Sequence, residues 1–403
     1  MIAGARYSLL WLFGALALYL SPGGARAQTP ICQSAGVQVS IDFTSGGRHT
    51  CRVTGAGEVI LDVIPEGSPI NGSPWYAFRL DAAERTSLRI TLDYGQYEHR
   101  YTPKLTRDGA SWRAVSPRDV VVAADARRAS INLTVDAGMT VIAAQPIETP
   151  AAIHAWAGAT RAPHAFEQVQ YGTSTDGQAL IGYSGGEGAD LIVAMTRQHP
   201  PETTGSVAFR AFVEHIMSDT PKAQAFRARH RILLAPMPNP DGVSRGHWRW
   251  NNGGVDLNRD WRSFTQPETQ ALRDLILGEA ENRRTVAFFD FHSTRRNVIY
   301  APPLDADSPT VDFLPLLRER LDEAVDCPLP WTFSHSETGN TAKRWALEAL
   351  RAPGLTIELD DEATEAQAQR IGRTIADALM DYTLEGARAR GIIPTRSCPA
   401  AWT

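Results

Sequence analysis

The stretch Asp190-Leu191-Ile192-Val193-Ala194-Met195-Thr196 decides how the chain folds. It is apolar, rich in β-branched residues and too short for a helix of usual length, so it predicts a β-strand buried on both faces. Directly after it, Arg197-Gln198-His199-Pro200-Pro201-Glu202 breaks the run, its two prolines keep the segment extended, and a helix pattern follows from Thr203 to Met217. Further buried strands are predicted over Arg231 to Pro236, Thr285 to Phe291 and Gly354 to Leu359. Helices are predicted over Pro267 to Ala280, opened by Thr265 with Glu268 three residues on, then over Val311 to Ala324, Ala342 to Leu350 and Glu365 to Glu385. Strands that alternate with helices imply an α/β sheet covered by helices on both faces.

Upstream the texture differs. Short β-rich runs occupy Val37 to Phe43, Glu58 to Val63, Trp75 to Leu80, Leu88 to Leu92, Ser130 to Val135 and Met139 to Ala143, separated by polar and glycine-containing turns. That spacing reads as an antiparallel β-sandwich. Gln145-Pro146-Ile147-Glu148-Thr149-Pro150 interrupts the pattern and marks a boundary between an amino-terminal domain, residues 28–150, and a second domain, residues 151–403. Residues 1–27 read as a secretory signal: Arg6 supplies charge, Leu9 to Leu20 an apolar run too short to span a bilayer, and Ala25-Arg26-Ala27 a small-residue cleavage site. The expectation is an exported protein, periplasmic or secreted, with no stable membrane insertion after cleavage. In an oxidising compartment the four cysteines pair as Cys32 with Cys51 and Cys327 with Cys398.

Composition narrows the function. The 403 residues are 43% hydrophobic, too apolar for a disordered chain, and 40 basic against 45 acidic residues leave no positive excess to drive nucleic-acid binding. The absence of a C-x-x-C pair excludes a zinc ribbon and a thioredoxin-like motif.

Chemistry gathers at strand ends. His199 and Glu202 follow the Asp190 to Thr196 strand, where open α/β sheets bind their ligands. Asp290-Phe291-His292-Ser293 puts a second histidine at the end of another buried-strand pattern. Two imidazoles and one carboxylate form the three-ligand set of a catalytic zinc, which leaves one position open. Asp256, in Val255-Asp256-Leu257-Asn258-Arg259, is a candidate acceptor for the other ring proton of one ligand. Asn239-Pro240-Asp241-Gly242 reads as a turn, and Arg249 and Arg259 beyond it are suited to an oxyanion and to a carboxylate. Glu358, in Leu355-Thr356-Ile357-Glu358-Leu359, is an acid inside a buried-strand pattern, a costly placement that points to use as a general base. Asp360, Asp361 and Glu362 just beyond read as solvent-facing.

In this order the pieces resemble the zinc metallocarboxypeptidases, whose signature runs H-x-x-E, Asn-Pro-Asp-Gly, Arg, Asp-x-Asn-Arg, a second His and a base Glu. Arg197 to Thr203, Asp256 to Arg259 and Phe291 to Ser293 are most similar to the cytosolic carboxypeptidase-like branch, which also carries a β-sandwich ahead of its catalytic domain. The resemblance implies a mixed, mostly parallel sheet with helices on both faces, preceded by the antiparallel β-sandwich. It implies His199, Glu202 and His292 as ligands of one zinc ion per chain, Arg249 as electrophile toward the carbonyl and its oxyanion, and Glu358 as general base. Asn258 and Arg259 would hold the substrate's free C-terminal carboxylate, while Asp256 supports a ligand histidine. The reaction implied is hydrolysis of the C-terminal peptide bond of a peptide or protein, through general-base activation of water at the metal.

Two departures stand out. The family often has a Tyr ahead of the base Glu, and Ser334 to Asn340 contains none. Lys343 and Arg344 lie where the family shapes side-chain preference; they would suit an acidic residue, or form the solvated face of the Ala342 to Leu350 helix. A zinc amidase, acylase or cell-wall peptide hydrolase with the same His-Glu-His set is the alternative. A non-catalytic binding protein would require a lost ligand or base, and none is lost. Gly182-Tyr183-Ser184-Gly185-Gly186 fits the serine-hydrolase elbow G-x-S-x-G, but no helix pattern follows it, so it is expected to be a hairpin turn.

Overall fold

The computed structural model describes residues 29–325, 328–334 and 339–390; the segment 1–27, Cys327, Cys398 and His335 to Thr338 lie outside the described residues. The amino-terminal half is two sheets, of six and five strands, packed face to face. Val37, Phe78 and Ile142 from one sheet and Leu61, Ile90 and Ile131 from the other close a common core. Cys32 and Cys51 are joined in a disulfide that links the two sheets. One pair departs from a fully antiparallel sandwich: Glu58–Ile64 runs parallel to Thr86–Asp93. The intervening strand Ala77–Ala82 belongs to the opposite sheet, so the chain crosses over and returns in the same direction.

The second half is built on an eight-stranded mixed sheet. Its strands are β1 (Glu167–Thr173), β2 (Ala179–Gly185), β3 (Asp190–Thr196), β4 (His230–Ala235), β5 (Arg284–Thr294), β6 (Val298–Ala301), β7 (Trp331–Phe333) and β8 (Gly354–Asp360), in spatial order β1-β2-β4-β3-β5-β8-β6-β7. The central strands β4, β3, β5 and β8 are mutually parallel. Among the described residues eight α-helices complete the domain: α1 (Pro150–Arg161), α2 (Thr203–Ile216), α3 (Pro221–Arg229), α4 (Pro240–Arg245), α5 (Pro267–Ala280), α6 (Phe313–Ala324), α7 (Ala342–Leu350) and α8 (Glu365–Glu385). The opening stretch explains the layering. Ile192 and Ala194 of β3 join the core under α2 and α8, whereas Leu191, Val193 and Met195 join the core under α5 and α7, so both faces of the strand are apolar.

Gly182 to Gly185 lie inside β2 instead of forming a hairpin turn, because β2 pairs with β1 and β4 and not with the next strand, β3. Ser184 is buried and donates to Glu279 at 2.7 Å, a structural role.

Candidate metal centre

The sheet brings together residues far apart in sequence. β3 ends as Arg197 adopts a left-handed backbone, φ +63°, which turns the chain off the sheet two residues before His199. The Arg197 side chain is buried and donates to the Glu148 carboxylate at 2.7 Å and to the Pro200 carbonyl at 2.9 Å, which pins the loop. Glu202 then sits at the start of α2. Across the β3–β5 pairing, His292 lies near the end of β5, in register with Glu358 of β8. Side chains alternate along a strand, so Asp290 and His292 share one face of β5, and Glu358 projects from the same face of β8.

His199, Glu202 and His292 are all buried, with candidate ligand atoms within 4.8 Å of one another. Glu202 Oε1 is 2.9 Å from His199 Nδ1, and Glu202 Oε2 is 2.6 Å from His292 Nδ1. The two Nδ1 atoms face each other at 3.2 Å. Each ring's outer nitrogen meets a carboxylate: His199 Nε2 is 2.9 Å from Asp256 Oδ1, and His292 Nε2 is 2.7 Å from Asp290 Oδ2. Protons on both Nε2 atoms leave two Nδ1 lone pairs and a carboxylate converging on one point, an arrangement that a cation satisfies and protons alone do not. The donor set of two imidazoles and one carboxylate fits zinc.

The electrostatics agree. Burial disfavours the Glu202 carboxylate, but the two histidines outweigh it and hold this carboxyl well below the usual range. Burial likewise opposes charge on His292, and Asp290 and Glu202 overcome it, raising this imidazole well above its ordinary value. Burial and the neighbouring Glu202 push the Glu358 carboxyl up to about 7, and its Oε2 is buried with no hydrogen-bond partner among the described residues.

Arg249 donates from Nε to Asp256 Oδ2 at 2.7 Å, so Asp256 joins this guanidinium to His199. Asn258 is buried beside His292, with Nδ2 3.3 Å from Nε2, while its Oδ1 accepts from the Ala342 amide at 3.0 Å. Arg259 is exposed and donates from Nη1 to the Asn258 carbonyl at 2.8 Å. Lys343 is not on a solvated helix face: it is 9% exposed, and burial, then Arg344, lowers its pKa. Arg344 pairs with Glu348. Sequence reasoning missed Asp290 as a partner of His292; the i, i+2 spacing on one strand was the available signal.

The zinc carboxypeptidase family profile matches residues 153–380, more than half of the chain. Cytosolic carboxypeptidase 2 of Xenopus tropicalis is 34% identical over 113 residues, 27% of this chain and 12% of that protein. Cytosolic carboxypeptidase 1 of Mus musculus is 42% identical over 113 residues, 27% of this chain and 9% of that protein. The chain thus spans a small part of the curated relatives it matches. Among solved structures, a metallo-carboxypeptidase from Burkholderia cenocepacia superposes with a TM-score of 0.73 over 87% of this chain and all of its own, at 18% identity. One from Pseudomonas aeruginosa gives 0.71 over 86% of this chain and 98% of its own, at 19% identity. At such identities the likeness concerns the fold, and it extends through the amino-terminal sheets. The expectation of an exported, periplasmic or secreted protein is overturned by the curated relatives, which are cytosolic carboxypeptidases. Among the described residues, no helix is long and apolar enough to cross a membrane.

Proposed function

Since the chain belongs to the zinc carboxypeptidase family, we propose that it removes C-terminal residues from a peptide or protein by hydrolysis, with His199, Glu202 and His292 holding the zinc. The observation that carries this reading is the buried His-Glu-His cluster with the unpartnered carboxyl oxygen of Glu358 in register beside it. A bound zinc supplies Lewis acidity, which polarises the scissile carbonyl and makes water easier to deprotonate. Glu358 takes a proton from the attacking water and passes it to the leaving amine; an acid with a pKa of about 7 is suited to both transfers. Arg249, its guanidinium held through Nε by Asp256, offers its Nη groups to the oxygen on which negative charge develops. Arg259, exposed beside Asn258, receives the substrate's terminal carboxylate. No observation favours the amidase or acylase alternative.

Glu358→Gln tests the reading. The variant is expected to keep about one zinc per chain by elemental analysis, while kcat on a peptide library falls by about 10²- to 10⁴-fold, the usual worth of a positioned acid–base group. Near wild-type turnover in this variant, or full activity of metal-free protein, would overturn it. In parallel, Arg259→Ala is expected to raise KM on peptides with a free C-terminus and not on amidated ones. Equal losses on both would remove the carboxylate-binding role.

A further inference from the structure

The loop that carries Arg249 is held by the other domain. Glu66 follows the strand Glu58–Ile64 of the sandwich. Its Oε2 accepts from the Trp248 amide at 2.8 Å, and its Oε1 accepts from the Arg249 amide at 2.8 Å and the Trp250 amide at 2.7 Å. Three consecutive backbone N–H groups converging on one carboxylate form a small anion-binding concavity that Glu66 fills. The flanking side chains repeat the grip. Trp248 is buried within the sandwich core, edge-on to Tyr97, and Gly67 packs so closely on the Trp250 ring that a Cβ there would lie 2.1 Å from it. On the catalytic side, His247 Nδ1 faces the Trp250 carbonyl at 3.1 Å, and the Arg249 guanidinium reaches Asp256.

We propose that the amino-terminal domain is a working part of the active site: Glu66 is a positioning residue that fixes the backbone of Trp248 to Trp250 and thereby aims the Arg249 guanidinium. Resting on the reading of Arg249 as the group that meets the substrate carbonyl, it extends the machinery to a residue more than 180 positions away in sequence. The physical reason is entropic and geometric. A loop free to sample several backbone states would carry the guanidinium through positions that miss the carbonyl oxygen, and a displacement of about 1 Å can cost on the order of 10²-fold in rate. Glu66 removes that freedom by a charge-assisted contact to three donors that would otherwise be left unpaired where the two domains meet.

The test uses the full chain loaded with zinc. Glu66→Ala is expected to lower kcat by about 10- to 100-fold, with KM within about threefold of wild type and zinc content unchanged. Hydrogen–deuterium exchange is expected to quicken at the Trp248 to Trp250 amides and not in β5 or α2. In an Arg249→Ala background, Glu66→Ala is expected to add less than about threefold, since the residue it positions is gone. Glu66→Gln, which keeps one carbonyl acceptor, is expected to fall between wild type and Ala and substitutes if the Ala variant does not fold. Wild-type kcat in Glu66→Ala, or losses that multiply with those of Arg249→Ala, would overturn the proposal. If the wild-type chain hydrolyses no peptide, the functional reading fails separately. Unchanged exchange at the three amides then refutes the grip of Glu66 by itself.

Discussion

Asp290 illustrates how much of this site depends on single side chains. It is fully buried; Oδ2 lies 2.7 Å from His292 Nε2 and accepts from Gln198 at 2.7 Å, while Oδ1 has no hydrogen-bond partner among the described residues. A buried carboxylate is costly unless charge is returned to it, and here the return comes from the imidazole it orients. Asp290→Asn, which keeps the shape and removes the charge, is therefore expected to weaken zinc binding by about 10- to 100-fold in competition with a chromogenic chelator. Unchanged affinity would take Asp290 out of the metal site. At this scale the sequence was partly legible. His199, Glu202, His292 and Asp256 were readable because each stands at the end of an apolar run or in a motif with fixed offsets. The burial of Lys343 was not readable, because a Lys-Arg pair at the start of a helix looks solvated until its neighbours are known.

Elements deliver these side chains, and the limits of β5 show where hydropathy stops informing. The strand runs from Arg284 to Thr294, whereas the apolar pattern stops at Phe291. The site begins where the pattern ends, because the last residues of the strand exchange packing for chemistry. The start of α5 makes a similar point. Thr265 with Glu268 three residues on has the spacing of a capping box, yet Thr265 donates to Asp260 and Glu268 accepts from Thr175 and Asn251. Tertiary partners claimed both. Helix α2 must also approach β5 closely: a Cβ on Gly205 would lie 2.4 Å from the His292 carbonyl oxygen, and the Gly205 amide donates to Ser293 Oγ at 2.8 Å. Glycine to alanine in a helix interior usually gains about 1 kcal/mol. Here overpacking of about 1–3 kcal/mol opposes that gain and pushes α2, which Glu202 directly precedes, away from His292. Gly205→Ala is expected to lower the thermal midpoint and to weaken zinc binding together. A raised midpoint would mean that the helix has room to move.

Over the whole molecule, the segment after β8 is a second seam between the two halves. Asp361 is 4% exposed and accepts from Arg100 Nε at 2.8 Å, contrary to the solvent-facing position expected of the Asp360-Asp361-Glu362 run. Gln145 donates to the Asp361 carbonyl at 2.7 Å, and Glu362 accepts from the Thr102 amide and from Lys104, both at 2.8 Å. A run of three acids reads as a solvated loop because its partners lie about 260 positions earlier, beyond any local pattern. Burial nevertheless raises the Asp361 carboxyl to about 6 despite Arg100, so the pair is held against a desolvation penalty and is worth little compared with two apolar residues of the same size. Loss of one partner is a different matter, because it strands the other charge. Arg100→Ala is expected to cost about 3–5 kcal/mol in urea unfolding, whereas Arg100→Met combined with Asp361→Leu is expected to recover most of that loss. Both seams flank the site, with Glu66 behind Arg249 and Arg100 behind the strand that bears Glu358. A loosened Arg100 seam should therefore lower kcat as well as stability, and full activity in a destabilised Arg100→Ala chain would show that this seam serves only to join the domains.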